Sequence, residues 1–368
     1  MDRTTWTHSL ADTHAFRLEQ EKLGGVWTLL GLSADLKSDN DWFRATLGGR
    51  SVFVQRFGSE ILGFENVCPH RSYPLRTAEN GNGPIICGFH HWHYDRRGHV
   101  VGVPIGMEVF RTKPCDMQAR LRPIEIALCG SLVFGRFSAG KPTETLQQFL
   151  GDGWAILAAI STLPPTVHRF GRRVEANWRL MMSITMDDYH IVAVHNRPSY
   201  HMNADLQYWR FGLHSALVTG SKDTLQSIAD DCEANRCLSI SYQILNIFPN
   251  LAISLFQARP YWYANIQQFV PVSAERSKWR GWFFPTTFPA ANESALERRF
   301  RRFSEPIRAR IVRHYLEKIA AEDHAACERL QEVAHQAAQP PILGSQEVRV
   351  GWFQEAYEQT IGSEEDKA

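Results

Sequence analysis

Residues 68–70 read Cys-Pro-His and residues 87–90 read Cys-Gly-Phe-His, within the longer stretches CPHRSYPL (68–75) and CGFHHWHYDRRG (87–98). The pattern is C-x-H, sixteen intervening residues, then C-x-x-H. Each half ends a strand-like run and opens a turn, so the two loops are expected to face each other as prongs. Two thiolates and two imidazoles make a closed set of four ligands. Soft thiolates suit zinc or an iron–sulfur cluster, and imidazole suits either. On the residues alone a structural zinc site, or core cysteines beside incidental histidines, stays open.

The surroundings are β in texture from Gly25 to about Phe137. Short apolar runs such as Ser51–Phe57, Glu60–Val67 and Gly130–Phe134 alternate with glycine-rich turns. Gly48-Gly49, Gly81-Asn82-Gly83 and Gly98 supply the turn chemistry. A short polar helix is expected over 12–23, and SAGKP (138–142) reads as a boundary. Further on, Cys237–Ile244 alternates as a half-buried strand does, and Arg259–Val272 and Lys278–Phe284 look like further strands. From Asn292 to about Ala338 the pattern is helical, closed by Pro340-Pro341. The expectation is an α+β chain with a helical segment over 1–24, a β domain over 25–145 and a second domain over 146–368.

Composition narrows the function classes. The 368 residues are enough for two domains, and 44% hydrophobic with 21% charged is ordinary globular composition. Forty Lys and Arg against thirty-nine Asp and Glu leave +1, which gives no global field for nucleic acid or an anionic membrane. No apolar run is long enough to span a membrane, and the first residues lack a signal-peptide block, so a cytoplasmic chain is expected. Seven cysteines without a secretory signal argue against a disulfide framework. Cys115, Cys129, Cys232, Cys237 and Cys327 read as structural thiols, and His93 and His99 as solvated or as supports for neighbouring ligands.

A second constellation lies in Asn177–His195, NWRLMMSITMDDYHIVAVH, which contains D-x-x-H-x-x-x-x-H. Asp187 and His190 share a helix face. His190 and His195 are five apart, about 140° round an ideal helix, so they converge on one metal only if the helix distorts or ends between them. A pair of ordinary helix histidines is the alternative. Two imidazoles still need a carboxylate to complete a 2-His-1-carboxylate site. With Ile319 as reference, Val312, Leu316, Ala326 and Leu330 fall within about 60° on the late helix, and Asp323 lies about 40° away in the same stripe. A core-facing carboxylate needs a partner, and a metal is one. Glu322, nearer the edge of the stripe, is the second choice, and a buried salt bridge or cap is the alternative role for Asp323.

The two motifs together resemble the Rieske non-heme iron oxygenases, the ring-hydroxylating oxygenase α subunits, in order and in separation. The resemblance covers roughly 25–335. It implies an N-terminal Rieske [2Fe–2S] β domain followed by a helix-grip catalytic domain, an antiparallel sheet with long C-terminal helices. It implies that Cys68 and Cys87 hold one iron of the cluster, that His70 and His90 hold the other, and that Trp92 and Tyr94 shield it. It implies mononuclear Fe(II) at His190, His195 and Asp323, with Asp187 hydrogen-bonded to His190 and bridging to His90 of the partner subunit. The shorter members work as homotrimers. They take electrons from NAD(P)H through a separate reductase, sometimes with a ferredoxin, and the absence of a G-x-G-x-x-G fingerprint agrees with an external donor. The implied activity is hydroxylation, dihydroxylation or oxidative demethylation of a small, aromatic organic substrate. An electron-transfer Rieske protein and a helix-grip ligand-binding protein are the rival readings. Two positions depart from the family pattern: His91 stands where the family usually has Gly, and Ser183-Ile184 where it often has Glu-Asn or Asp-Asn. Glu297–Phe303 (ERRFRRF) reads as a solvated helix face, with reductase or ferredoxin docking as the sharper alternative. Tyr261-Trp262-Tyr263 reads as core packing, with a cage for a quaternary amine as its alternative.

Overall fold

A computed structural model describes residues 9–138, 144–161, 168–196, 206–219, 225, 227, 228, 230, 242–258, 261–284, 294–336 and 341–362. It falls into two compact units: Gln20–Leu146, and Gln147–Ala368 together with the stretch ending at Glu19. Helix α1, Thr13–Leu23, runs across that division. Among the described residues no helix is long and apolar enough to cross a membrane.

The first unit is built from strands β1 (Thr28–Leu32), β2 (Asp41–Leu47), β3 (Arg50–Phe57), β4 (Glu60–Glu65), β5 (Asn80–Asn82), β6 (Ile85–Ile86), β7 (His93–Tyr94), β8 (Val100–Gly102), β9 (Pro123–Cys129) and β10 (Leu132–Arg136). Seven form an antiparallel sheet in the order β1-β10-β9-β4-β3-β2-β5, and β6-β7-β8 form a small second sheet. The β2–β3 hairpin turns on Gly48 and Gly49, both at positive φ. A Cβ on Gly48 would stand 2.5 Å from the Gly24 Cα, so no larger residue fits. One core of this unit, Val52, Val54, Phe43, Leu47 and Val133, holds the sheet. A second gathers Phe53, Phe64, Leu75, Trp92, Tyr94 and Val100 around Cys68 and Cys87.

The second unit has a seven-stranded antiparallel sheet. Its strands are β11 (His168–Val174), β12 (Leu206–Phe211), β13 (His214–Thr219), β14 (Tyr242–Ile247), β15 (Leu251–Ala258), β16 (Tyr261–Ser273) and β17 (Arg276–Phe284), in the order β11-β17-β16-β15-β14-β13-β12. Helices α2 (Trp178–Ile184), α3 (Ile191–Val194), α4 (Ala295–Val333) and α5 (Val348–Ile361) accompany it. The α+β expectation is met: a β unit with a two-layered core, then an antiparallel sheet with long helices.

The late helix is turned relative to expectation. Its buried face carries Ala309, Ala320, His324, Cys327, Gln331 and Ala334, while Leu330 is exposed. This face lies roughly 100° round the helix from the stripe centred on Ile319. The physical reason is close approach to α2, where Cys327 Sγ reaches the Leu180 carbonyl at 3.6 Å. Small side chains permit that approach, and a count of large apolar residues misses them. Of the five supposed structural thiols, Cys129 and Cys327 are buried and not disulfide-bonded, Cys115 is exposed, and Cys232 and Cys237 lie outside the described residues. The SAGKP boundary lies almost wholly outside them as well, as do the first residues of the Cys237–Ile244 strand. Of the YWY triplet, the Tyr263 side chain is described, and it is core.

Candidate metal centres

The two prongs share one backbone design. In the first, Ser72 N–H donates to the Cys68 carbonyl and Cys68 N–H to the Tyr73 carbonyl, each at 2.9 Å. In the second, His91 N–H donates to the Cys87 carbonyl and Cys87 N–H to the Trp92 carbonyl, again at 2.9 Å. The fifth residue of each prong is left-handed, Ser72 at φ 56° and His91 at φ 52°. A glycine takes that conformation without strain, which explains physically why His91 looks out of place. Its side chain is exposed and takes no part in the site.

The prongs bring all four expected ligands together. Cys68 and Cys87 are buried and unbridged. The rings of His70 and His90 lie 4.6 Å apart between centroids. The Nδ1 atoms of both are buried and have no hydrogen-bond partner among the described residues. A buried ring nitrogen without a partner is costly, and a metal bound there would satisfy it. Trp92 stacks on His70 at 4.7 Å, and the Tyr94 hydroxyl lies 3.1 Å from Cys68 Sγ. Burial pushes the Cys68 thiol up, the Tyr94 hydroxyl and the His70 N–H oppose it, and Cys87 pushes it further up. Two thiols forced close in an apolar core suit a cationic pair of irons. Exposed Phe89 packs beside His90, with Tyr73 and the Arg71 guanidinium against the Phe89 ring.

The second site is made where a helix ends. Asn177 caps α2, its side chain accepting from Arg179 N–H at 2.9 Å and donating to the Ala274 carbonyl at 2.6 Å. Trp178 donates to Glu19, which also accepts from Tyr357 and pairs with buried Arg179 at 3.4 Å. The Asn-Trp pair is therefore structural. The chain leaves α2 at Thr185 and Asp187 Oδ1 then accepts from the N–H groups of Tyr189 and His190, starting the single turn α3. His190 precedes that turn and His195 follows it, with Asn196 at φ 51° closing it. The helix thus ends before it would carry the two histidines apart.

His190 Nε2 lies 3.2 Å from His195 Nε2 and 3.2 Å from Asp323 Oδ1, and His195 Nε2 lies 3.0 Å from Asp323 Oδ1. The ligand atoms of these three residues all lie within 4.8 Å of one another, close enough to share a single metal ion. Each ring is oriented from its far side. His190 Nδ1–H donates to the Asp187 carbonyl at 2.5 Å, and His195 Nδ1–H donates to Glu322 Oε2 at 2.8 Å. Burial works against a charged imidazole at both histidines, but Asp323 outweighs it, with Asp187 helping at His190 and Glu322 at His195, and both pKa values rise. Burial likewise raises Asp323, and the two imidazoles reverse that and hold it low.

Two expectations change in detail. The Asp187 carboxylate is not the partner of His190, since its Oδ2 stands 4.0 Å from Nδ1, and the backbone carbonyl does that work. Glu322 is not placed as a rival to Asp323: it grips the other nitrogen of His195. The sequence reading passed over the Tyr94 hydroxyl and the buried Asp188–Arg349 pair at 2.9 Å, where Arg349 also bonds Asn246. A doubled acid before a histidine was the available signal for Asp188. Ser183, where the family often has an acid, has a buried hydroxyl with no partner among the described residues.

Residues 26–112 match the family model of the Rieske [2Fe-2S] domain, and residues 165–363, more than half the chain, match that of the ring hydroxylating alpha subunit (catalytic domain). The chain is 26% identical over 328 residues to the terephthalate 1,2-dioxygenase terminal oxygenase component subunit alpha 2 of Comamonas sp., covering 79% of this chain and 77% of that one. It is 28% identical over 207 residues to the carnitine monooxygenase oxygenase subunit of Escherichia coli K12, covering 54% of this chain and about half (53%) of that one. The solved naphthalene 1,2-dioxygenase from Rhodococcus sp., bound to indole, has the same fold at a TM-score of 0.74 and 18% identity, covering 98% of this chain and 94% of that one. A Rieske domain implies a [2Fe–2S] cluster and the catalytic domain a mononuclear iron, and the bare Nδ1 atoms on the prongs and the three converging ligand atoms of the second unit fit both. The chain therefore belongs to the Rieske non-heme iron oxygenases, as a ring-hydroxylating oxygenase α subunit.

Proposed function

We propose that this chain is a terminal oxygenase that holds its cluster on Cys68, His70, Cys87 and His90 and its Fe(II) on His190, His195 and Asp323. The observation that carries the reading is the near-equilateral triangle of His190 Nε2, His195 Nε2 and Asp323 Oδ1, with sides of 3.0–3.2 Å. Two ligands each about 2.1 Å from a metal and at right angles stand about 3.0 Å apart, so the triangle has the size of one octahedral face. When bound there, ferrous iron supplies the activation of O₂.

The chain's own residues prepare that face. The Asp187 carbonyl takes the Nδ1 proton of His190 and so turns its Nε2 lone pair to the metal, and Glu322 does the same for His195. In the homotrimer we propose, the Asp187 carboxylate, whose Oδ1 already caps the turn, carries the electron path to His90 of the partner subunit. Electrons come from NAD(P)H through a separate reductase, with or without a ferredoxin, in the cytoplasm. The substrate is a small organic molecule, aromatic by analogy with the terephthalate enzyme, which is hydroxylated, dihydroxylated or oxidatively demethylated.

The test is a metal inventory followed by turnover. Anaerobically purified protein should hold about three irons and two acid-labile sulfides per chain. With a surrogate reductase, NADH and O₂, a substrate panel read by mass spectrometry should then show oxygenated product. Asp187→Asn should keep both metal sites and lose turnover. Stoichiometric zinc without sulfide would overturn the cluster, and two irons per chain would overturn the oxygenase.

A further inference from the structure

Four arginines are buried among the described residues: Arg76, Arg136, Arg179 and Arg349. Three have a carboxylate at hand, Arg136 with Glu125 at 2.7 Å, Arg179 with Glu19 at 3.4 Å and Arg349 with Asp188 at 2.9 Å. Arg76 has none among the described residues. One terminal nitrogen donates to Gln55 Oε1 at 2.6 Å and to the Gly83 carbonyl at 3.0 Å, and Nε has no partner there. The guanidinium sits 4.6 Å from the ring of Trp42 and 5.4 Å from that of Phe53. Burial pulls its pKa down to about 10, so the charge persists at neutral pH.

An isolated buried cation is costly, and an apolar side chain of similar volume would be cheaper. Its location gives the charge a use. Asn66 locks the Arg76 backbone, accepting from its N–H at 2.7 Å and donating to its carbonyl at 2.8 Å. That clamp closes the loop that carries Cys68 and His70. Phe53, which the guanidinium faces, belongs to the same buried core as Cys68 and Cys87. Two ferric ions, two sulfides, two thiolates and two neutral imidazoles sum to zero charge, and one electron makes the sum −1. A fixed positive charge in the low-dielectric core favours the reduced form over the oxidised one.

We propose that Arg76 raises the reduction potential of the cluster held by Cys68, His70, Cys87 and His90, through an uncompensated positive charge behind the first prong. This rests on the cluster assignment above. Neutral aromatic and amide partners hold the guanidinium in place without cancelling it, as a carboxylate would.

The experiment is a spectroelectrochemical titration of the purified holoprotein, with absorbance and sulfide content confirming the cluster in each variant. Arg76→Gln removes the charge, and Gln55→Glu cancels it in place with a carboxylate at 2.6 Å. Each should lower the reduced-to-oxidised ratio at fixed ambient potential by about tenfold, which is about 59 mV for one electron. Arg76→Lys keeps the charge and should stay near wild type. Arg76→Met, which preserves the packed stem, replaces Arg76→Gln if that variant fails to hold its cluster. An unshifted potential on charge removal overturns the inference. So does a fall with Arg76→Lys as large as with Arg76→Gln, which would assign Arg76 to loop geometry alone. A wild-type protein without a cluster spectrum overturns the cluster assignment itself, which separates the two failures.

Discussion

The two prongs and the His190–His195 turn each pair imidazoles with acidic ligands, yet they free opposite nitrogens. On the prongs the Nδ1 atoms of His70 and His90 are the ones left bare. In the second unit Nδ1 of His190 and of His195 is consumed by a carbonyl and a carboxylate, and Nε2 is left to converge. The difference follows from what surrounds each ring. The prongs are loops whose own N–H and carbonyl groups bond along the loop, and the Nδ1 atoms of their histidines meet no protein partner among the described residues. The turn has a backbone carbonyl, that of Asp187, and a carboxylate, that of Glu322, the latter on a helix more than a hundred residues away. Cluster ligands are thus organised locally, and iron ligands by assembly of distant segments.

That contrast predicts separable failures. Asp323→Ala should remove about one iron of three, leave the cluster spectrum intact and eliminate product, since the site loses its anionic ligand. If Glu322→Ala strips the mononuclear iron while Asp323→Ala retains it, the roles of the two acids are exchanged. With the roles as drawn, Glu322→Ala should weaken iron binding about 10–100-fold, read by chelator competition, because His195 loses the group that orients it. Tyr94→Phe should act only on the prongs. It removes one hydrogen bond to Cys68 Sγ, so the cluster should stay bound and become harder to reduce by about 1 kcal/mol. A change in mononuclear iron content in that variant would show that the two regions are not independent.

What could be read from the residues follows the same line. The cluster ligands lie within 23 residues, so their types and spacing carried nearly all the information. The strands of the first unit were legible because Val52, Phe53 and Val54 sit in a run bounded by glycine turns. His190 and His195 were legible as a pair, but not the turn that joins them, since Asp187 capping a new turn is invisible to helical periodicity. Asp323 emerged from a stripe set off the most buried face: Val312 and Leu316 do pack against the core, but the helix buries Ala320 and Cys327 more fully and leaves Leu330 exposed. It still fell near the correct face because Asp323 itself lies only about 60° from the centre of that face, at the flank of a wide contact. The pairs Arg349–Asp188 and Arg179–Glu19 join residues more than 150 positions apart, and no local pattern announces them.

The Glu19 carboxylate has a consequence for how this chain tolerates trimming. It lies on α1 and accepts from both Trp178 and Tyr357 while facing Arg179, so the beginning, middle and end of the sequence are stapled at one buried anion. A chain beginning at Gln20 would keep every cluster ligand and every iron ligand. It would nonetheless strand Arg179 in the interior without its counter-charge, at a cost of about 3–5 kcal/mol. That approaches the whole folding margin of an ordinary domain. By this geometry Glu19 is the keystone beneath α2, the helix that leads into the His190 turn.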